Sequence, residues 1–225
     1  MTNKDLDIFD SVKSEIIKDL TPEILETTFD LITKSELIKE IPIFGIGFKT
    51  YSIYQNITES FFVKKILKFL YELKDISYDK REEFIKNLET KKETAKAGEK
   101  LLIILNRLND IEKAKIIGKL FNNTILEKIS FEDFDRLTHI IDNAYINDLK
   151  SLKNNPHLSY LDNSVKSNLY ILGLLNQSIP NLEKKQKSLK RVYIKSSTDS
   201  LPLPNVKLEY KPNKYCDLLI KYGFE

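Results

Sequence analysis

Phe61-Phe62-Val63-Lys64-Lys65-Ile66-Leu67-Lys68-Phe69-Leu70-Tyr71-Glu72-Leu73 decides the fold class. Phe62, Ile66, Phe69, Leu70 and Leu73 recur at the spacing that gathers them on one side of a helix, with Lys64, Lys68 and Glu72 opposite. The same pattern repeats downstream. Ser77 stands at an N-cap position ahead of 79–83, and Phe84, Ile85 and Leu88 give a short apolar face. Over 96–108 the buried face is Leu101, Leu102, Ile104, Leu105 and Leu108. Either Asn109 or Asp110 can cap the helix expected over 111–126. Ser130 and Asp133 open the next one, whose stripe of Phe134, Leu137, Ile140, Ile141, Tyr145 and Leu149 reads as one long helix. Five amphipathic helices with short connections predict an antiparallel helical array over 61–152. Gly98 and Gly118 fall inside helices, where each costs about 1 kcal/mol against Ala, so close helix approach is expected there.

Outward from the array, 5–20 reads as an amphipathic helix on Leu6, Phe9, Val12, Ile16 and Ile17. Thr21-Pro22 restarts the chain, 24–32 continues helically, and a short piece over 35–41 stops at Pro42. From Ile41 to Thr58 the one charge is Lys49. Ile43, Phe44, Gly45, Ile46, Gly47 and Phe48 therefore admit two readings: a membrane- or partner-contacting segment, or a helix buried on every side. Gly45 and Gly47 lack a third glycine and a preceding strand, which argues against a dinucleotide loop.

Asn154-Asn155-Pro156 marks a boundary between a helical domain, 1–153, and a smaller module, 154–225. In the module, 157–175 is predicted helical through Leu161, Val165, Leu169, Leu172 and Leu175. Val192-Tyr193-Ile194 and the alternating 206–211 are strand candidates, and a last helix carries Tyr215, Leu218, Leu219 and Tyr222. The fold class that follows is mainly α, a multi-helix bundle with a small C-terminal winged-helix-like β-hairpin.

With 41% hydrophobic and 31% charged residues in 225, the chain is globular, and a net charge of +3 implies no polyanion partner for the molecule as a whole. The charge is uneven, however: 181–221 holds ten basic residues against four acidic ones. Lys184, Lys185, Lys187, Lys190, Arg191, Lys195 and Lys214 are candidate contacts to a nucleic acid or an anionic surface. A lone cysteine, Cys216, excludes an internal disulfide and fits a reducing compartment, and with no secretory signal a cytoplasmic location is expected.

Evidence for catalysis is thin. Asp199 and Glu209-Tyr210-Lys211 loosely match the D…E-x-K arrangement of metal-dependent nucleases, yet the pattern is short and equally fits the solvent face of an edge strand. His139, flanked by Asp135 and Asp142, and His157 lack metal-ligand spacing. No metal, no cofactor and no catalytic residue is expected.

Tyr210-Lys211-Pro212-Asn213-Lys214-Tyr215-Cys216-Asp217-Leu218-Leu219 resembles the strand-to-helix signature Y-x-L-T-x-x-G-x-x-L that ends many bacterial winged-helix modules. Asn213 replaces the usual Thr and Cys216 the usual Gly, and Asn213 retains the capacity to cap. Together with the segment beginning Ile41-Pro42 and the array, this ending is similar to a family of uncharacterised bacterial helical proteins from mobile and antiviral-defence islands. The resemblance supplies no catalytic residue and implies only a setting in antiviral defence; the function expected is a non-enzymatic interaction or regulatory protein whose helical body binds a protein partner, a second copy included. A nucleic-acid-binding regulator and a membrane-active effector are the alternatives.

Overall fold

The computed structural model describes residues 7–26, 35–44, 57–91, 96–179 and 208–224. In chain order these form α1 (Ile8–Val12), a 3-10 helix (Glu15–Asp19), α2 (Pro22–Glu26), α3 (Glu36–Glu40), α4 (Ile57–Tyr71), α5 (Tyr78–Glu89), α6 (Ala97–Arg107) and α7 (Ile111–Ile125). Then come α8 (Phe131–Asn143), α9 (Ile146–Asn154), α10 (Asn163–Ile171), β1 (Leu175–Ser178), β2 (Glu209–Pro212) and α11 (Lys214–Gly223). The protein is mainly helical with one small antiparallel sheet near its C-terminal end.

The centre is α7. Ala114, Ile116, Ile117, Gly118, Leu120, Phe121, Thr124 and Ile125 are all buried, because α4, α5, α8 and α11 surround the helix. Phe121 is the hub. Its ring lies 5.0 Å from Phe134, 5.6 Å from Phe69, 5.7 Å from Phe84 in an edge-on arrangement and 6.0 Å from Phe9. One side chain thus joins α1, α4, α5 and α8, and each such ring pair contributes on the order of 1 kcal/mol beyond the area it buries. Gly118 explains the tightest seam: a Cβ there would lie 2.8 Å from the Phe69 carbonyl oxygen and 3.0 Å from Glu72 Cβ. The close approach expected of this glycine is where α4 and α7 cross.

Helix ends inside the body are closed by cations. The Arg81 side chain, fully buried, donates from Nη1 to the Ile76 carbonyl (2.6 Å) and from Nη2 to that of Ser14 (2.9 Å), tying the 3-10 helix to the turn after α4. Lys65 donates to the carbonyls of Asn106 and Leu108 at the end of α6, and Lys113 to that of Asp142 at the end of α8. The carbonyls of Asn106, Leu108 and Asp142 stand at helix C-termini and carry the negative end of the dipole, so a buried lysine there satisfies both the hydrogen bonds and the charge.

Several boundaries differ from the sequence reading. The stretch 5–20 is two short helices, because Lys13 and Ser14 end α1 and Ser14 recaps through its hydroxyl to Ile16 N. The expected long helix from Ser130 is α8 and α9, broken where Ala144 and Tyr145 are both extended, and Tyr145 is exposed rather than part of the stripe. The helix expected to Leu175 ends at Ile171. Gly173 takes φ +83°, with Leu174 N bonding Leu169 O and Gly173 N bonding Tyr170 O, a glycine-dependent stop that frees Leu175 to begin β1. β2 therefore pairs with 175–178, while Val192, Tyr193 and Ile194 lie outside the described residues.

Placing a methyl group at the α4–α7 crossing should force the two helices apart. Gly118→Ala is expected to lose about 1–3 kcal/mol in chemical denaturation despite its better helix propensity. Arg81→Met removes the Arg81 donors to the buried Ile76 carbonyl and to Ser14, and a loss of about 2–4 kcal/mol by the same measurement is expected.

Candidate functional site

After the expected boundary at 154 the chain does not leave the body. Leu158, Leu161, Leu169, Leu174, Leu175, Cys216 and Leu219 belong to the same buried cluster as the central helices. The Asn213 side chain accepts from Tyr215 N (2.9 Å) and Cys216 N (3.2 Å), so the capping role expected of it is present. Its amide also donates to Gly173 O (2.8 Å), locking the start of α11 to the turn before β1. α11 then lies against α7: Asn123 donates to Tyr222 O, Lys119 to Phe224 O, and Gly223 fits under Ile116 and Leu120.

The outer part of this module is α10 and the hairpin. Leu169 faces inward, fully buried. The register pairs Leu175 with Pro212 and Gln177 with Tyr210, and the Tyr210 hydroxyl meets both Ser167 Oγ (3.0 Å) and Gln177 Nε2 (2.9 Å). That network, with the Tyr170 and Tyr210 rings 6.2 Å apart, fastens the sheet to α10. What remains outside mixes polar side chains such as Asn163, Asn168 and Asn176 with large apolar ones. Tyr160 is 90% exposed, Ile171 78% and Tyr170 42%, and Ile179 and Leu208, one step beyond the last paired residues, are also open. Of the eight large apolar side chains exposed among the described residues, these five are in the module, which makes it the richest apolar surface described.

Among the residues singled out in the sequence, Lys184, Lys185, Lys187, Lys190, Arg191 and Lys195 lie outside the described residues. Lys214 is at the start of α11, where it forms an ion pair with Asp133 (2.7 Å); that hydrogen-bonded carboxylate raises its pKa. Ile43 and Phe44 are buried in the core, and Ile43 N donates to the buried Ser11 hydroxyl (2.9 Å). Both are core side chains in this fold, as the alternative reading of a buried segment expects, while Gly45, Ile46, Gly47 and Phe48 lie outside the described residues. Glu209 and Lys211 sit on β2 with both side chains exposed; Asp199 is not described. His139 is exposed between two engaged carboxylates, since Asp135 pairs with Lys100 and Asp142 with Arg107. Among the described residues no group of three or more His, Cys, Asp or Glu is placed to hold a metal, and no helix is long and apolar enough to cross a membrane.

Tyr160, Tyr170 and Ile171 were not singled out from the sequence. The signal for the last two was present: they lie off the stripe of Leu161, Val165, Leu169 and Leu172, so a helix buried by that stripe must expose them. The buried cations had no such signal. Lys65 neighbours Lys64 and Lys68, which read as a solvent face, and nothing local distinguishes it. Burial pushes the pKa of Lys65 down, and in Lys113 burial outweighs the nearby carboxylates of Asp142 and Asp110.

Comparison with known proteins finds no matching family model, no similar curated protein and no similar solved structure.

Cys216 offers a check on how firmly α11 is seated. Burial pushes its thiol up to about 12, so the folded state keeps the proton that the unfolded chain releases near 9. The resulting stability is complete below pH 9 and is lost as pH rises towards 12. Denaturation midpoints should fall across that window in the wild type and less so in Cys216→Ala. At pH 8 the native thiol should react with a chromogenic disulfide reagent at least tenfold more slowly than the unfolded chain.

Proposed function

We propose that the protein is a non-enzymatic interaction or regulatory protein, in which the helical body carries the C-terminal module as a contact surface for another protein. The observation behind this reading is the set of exposed aromatic and aliphatic side chains in the turn before α10, on α10 and at the open end of the hairpin, Tyr160, Tyr170, Ile171, Ile179 and Leu208. Tyrosines at such positions supply large contact area at low entropic cost, and aromatic residues are enriched where proteins bind one another. The surface is mounted on a rigid base: Tyr210 pins the sheet to α10, Asn213 pins the sheet end to α11, and α11 is seated on α7. A setting in bacterial antiviral defence is supported by the sequence resemblance alone.

A nucleic-acid-binding regulator is the second reading. Three helices, α8, α9 and α10, followed by a two-stranded hairpin are the element order of a winged helix, and the basic residues of 184–195 fall between its strands. Tyr170 and Ile171 weigh against it, because they put apolar side chains beside the exposed amides Asn163 and Asn168 on the face of α10 that would have to enter a groove.

A photo-crosslinking amino acid placed at Tyr170 or Ile171 in cells should give a discrete protein adduct that the same group at exposed Asp79 does not. The adduct at Ile171 should disappear in Tyr160→Asp/Tyr170→Asp. Equal labelling at all three positions defeats the reading. Duplex DNA or RNA binding that weakens steeply between about 50 and 200 mM salt supports the second reading in its place.

A further inference from the structure

The register of the hairpin tells which way the backbone of β2 faces. Asn213 N donates to Leu174 O, so these two residues form a hydrogen-bonded pair. Bonding alternates along an antiparallel ladder, which makes Asn176–Lys211 and Ser178–Glu209 the next bonded pairs and leaves Leu175–Pro212 and Gln177–Tyr210 unbonded. Pro212, which has no N–H, falls at an unbonded position, as this alternation requires. The N–H and C=O of Tyr210 therefore point away from β1, and neither has a hydrogen-bond partner among the described residues. Leu208, 42% exposed, is the next position in that alternation.

An open strand edge invites any extended chain, and natural proteins guard it with charge, lysine or proline. The guards on β2 are arranged to admit one sequence, because Leu208-Glu209-Tyr210-Lys211-Pro212 is its own complement about Tyr210. Set antiparallel against a second copy, Glu209 stands opposite the partner's Lys211, and Lys211 opposite the partner's Glu209. On the other face Leu208 meets the partner's Pro212, and the two Tyr210 backbones exchange hydrogen bonds. Glu209 and Lys211 are both exposed, and neither has an ion pair among the described residues. A slip by two residues would set Glu209 against the partner's Glu209, or Lys211 against the partner's Lys211, and like charges directly opposite are destabilising. β1 offers no such match, since its exposed side chains Asn176, Gln177 and Ser178 are all neutral. We propose that the protein self-associates by pairing β2 with β2 of a second copy, which joins the two hairpins into one sheet across a two-fold axis. The contact goes beyond the surface proposed above and does not need Tyr160, Tyr170 or Ile171.

Sedimentation velocity between about 10 µM and 1 mM protein should show a concentration-dependent equilibrium of monomer and dimer. Glu209→Lys or Lys211→Glu puts like charges at both cross-strand positions and should raise the dimer Kd about tenfold or more. Glu209→Lys/Lys211→Glu reverses both and should return the Kd close to the wild-type value, which a role in folding alone would not do. In the proposed register residues 209 and 211 face each other as an unbonded pair with Cα atoms about 4.5 Å apart, within disulfide reach. Mild oxidation of Glu209→Cys/Lys211→Cys/Cys216→Ala should therefore give a covalent dimer, and Asn176→Cys/Ser178→Cys/Cys216→Ala should not. A wild type that stays monomeric at about 1 mM overturns the proposal. So does a dimer indifferent to the single reversals, a double reversal that stays dissociated, or equal crosslinking on β1 and β2. Photo-crosslinking at Tyr170 and Ile171 reads the other surface, so either assignment can fail alone.

Discussion

Enclosure of α7 is the constraint from which the rest of the architecture follows. A helix with Ile116, Ile117, Leu120, Phe121 and Ile125 buried has almost no face left for water, so neighbours must supply apolar surface all round it. Phe121 sets where they sit. Four rings from four helices converge on it at 5.0–6.0 Å, and none can move without opening a gap beside the others. Gly118 then admits α4 at backbone distance on one side, while Gly223 lets α11 close the other against Ile116 and Leu120.

Packing helices this closely brings their ends indoors, and an enclosed helix end is an electrostatic problem. The carbonyl groups at the ends of α6 and α8, and in the turn after α4, are away from bulk water and have no partners within their own helices. Long cationic side chains answer this better than neutral ones, since Lys65 and Lys113 reach across from other elements and bring charge that the dipole favours, and Arg81 supplies several donors to one turn. Their burial disfavours the charged form, as the lowered pKa values of all three show, and the carbonyls offset that cost. The arrangement makes these bonds structural clamps between distant stretches of chain.

The same logic separates a supporting part of the C-terminal module from a presenting part. α11 is tied down by its cap, by Lys214–Asp133 and by carbonyls that accept from α7, so it acts as a wall of the body. α10 and the hairpin are fastened through Tyr210 and the Asn213–Gly173 bond but keep their outer side chains free of the core. Rigid support under exposed aromatic groups is what a contact surface requires, because little ordering entropy is lost when a partner arrives.

Local pattern was enough to place the helices of the array, the closeness demanded by Gly118 and the cap at Asn213, because each depends on residues within a few positions of one another. It was also enough to imply a strand near 209, though not its mate. β1 lies where apolar spacing continues the helical stripe through Leu172 and Leu175, and the left-handed turn at Gly173 is what ends α10. The division at Tyr145 was hidden for a similar reason, since a two-residue extended step leaves the stripe of Phe134 to Leu149 in phase. Tertiary structure alone decided which lysines are buried, that the chain after 154 shares the central core, and that Ile43 and Phe44 face inward. These turn on contacts between residues far apart in sequence, as between Ser11 and Ile43 or Lys65 and Leu108, where sequence spacing carries no information about which surfaces meet.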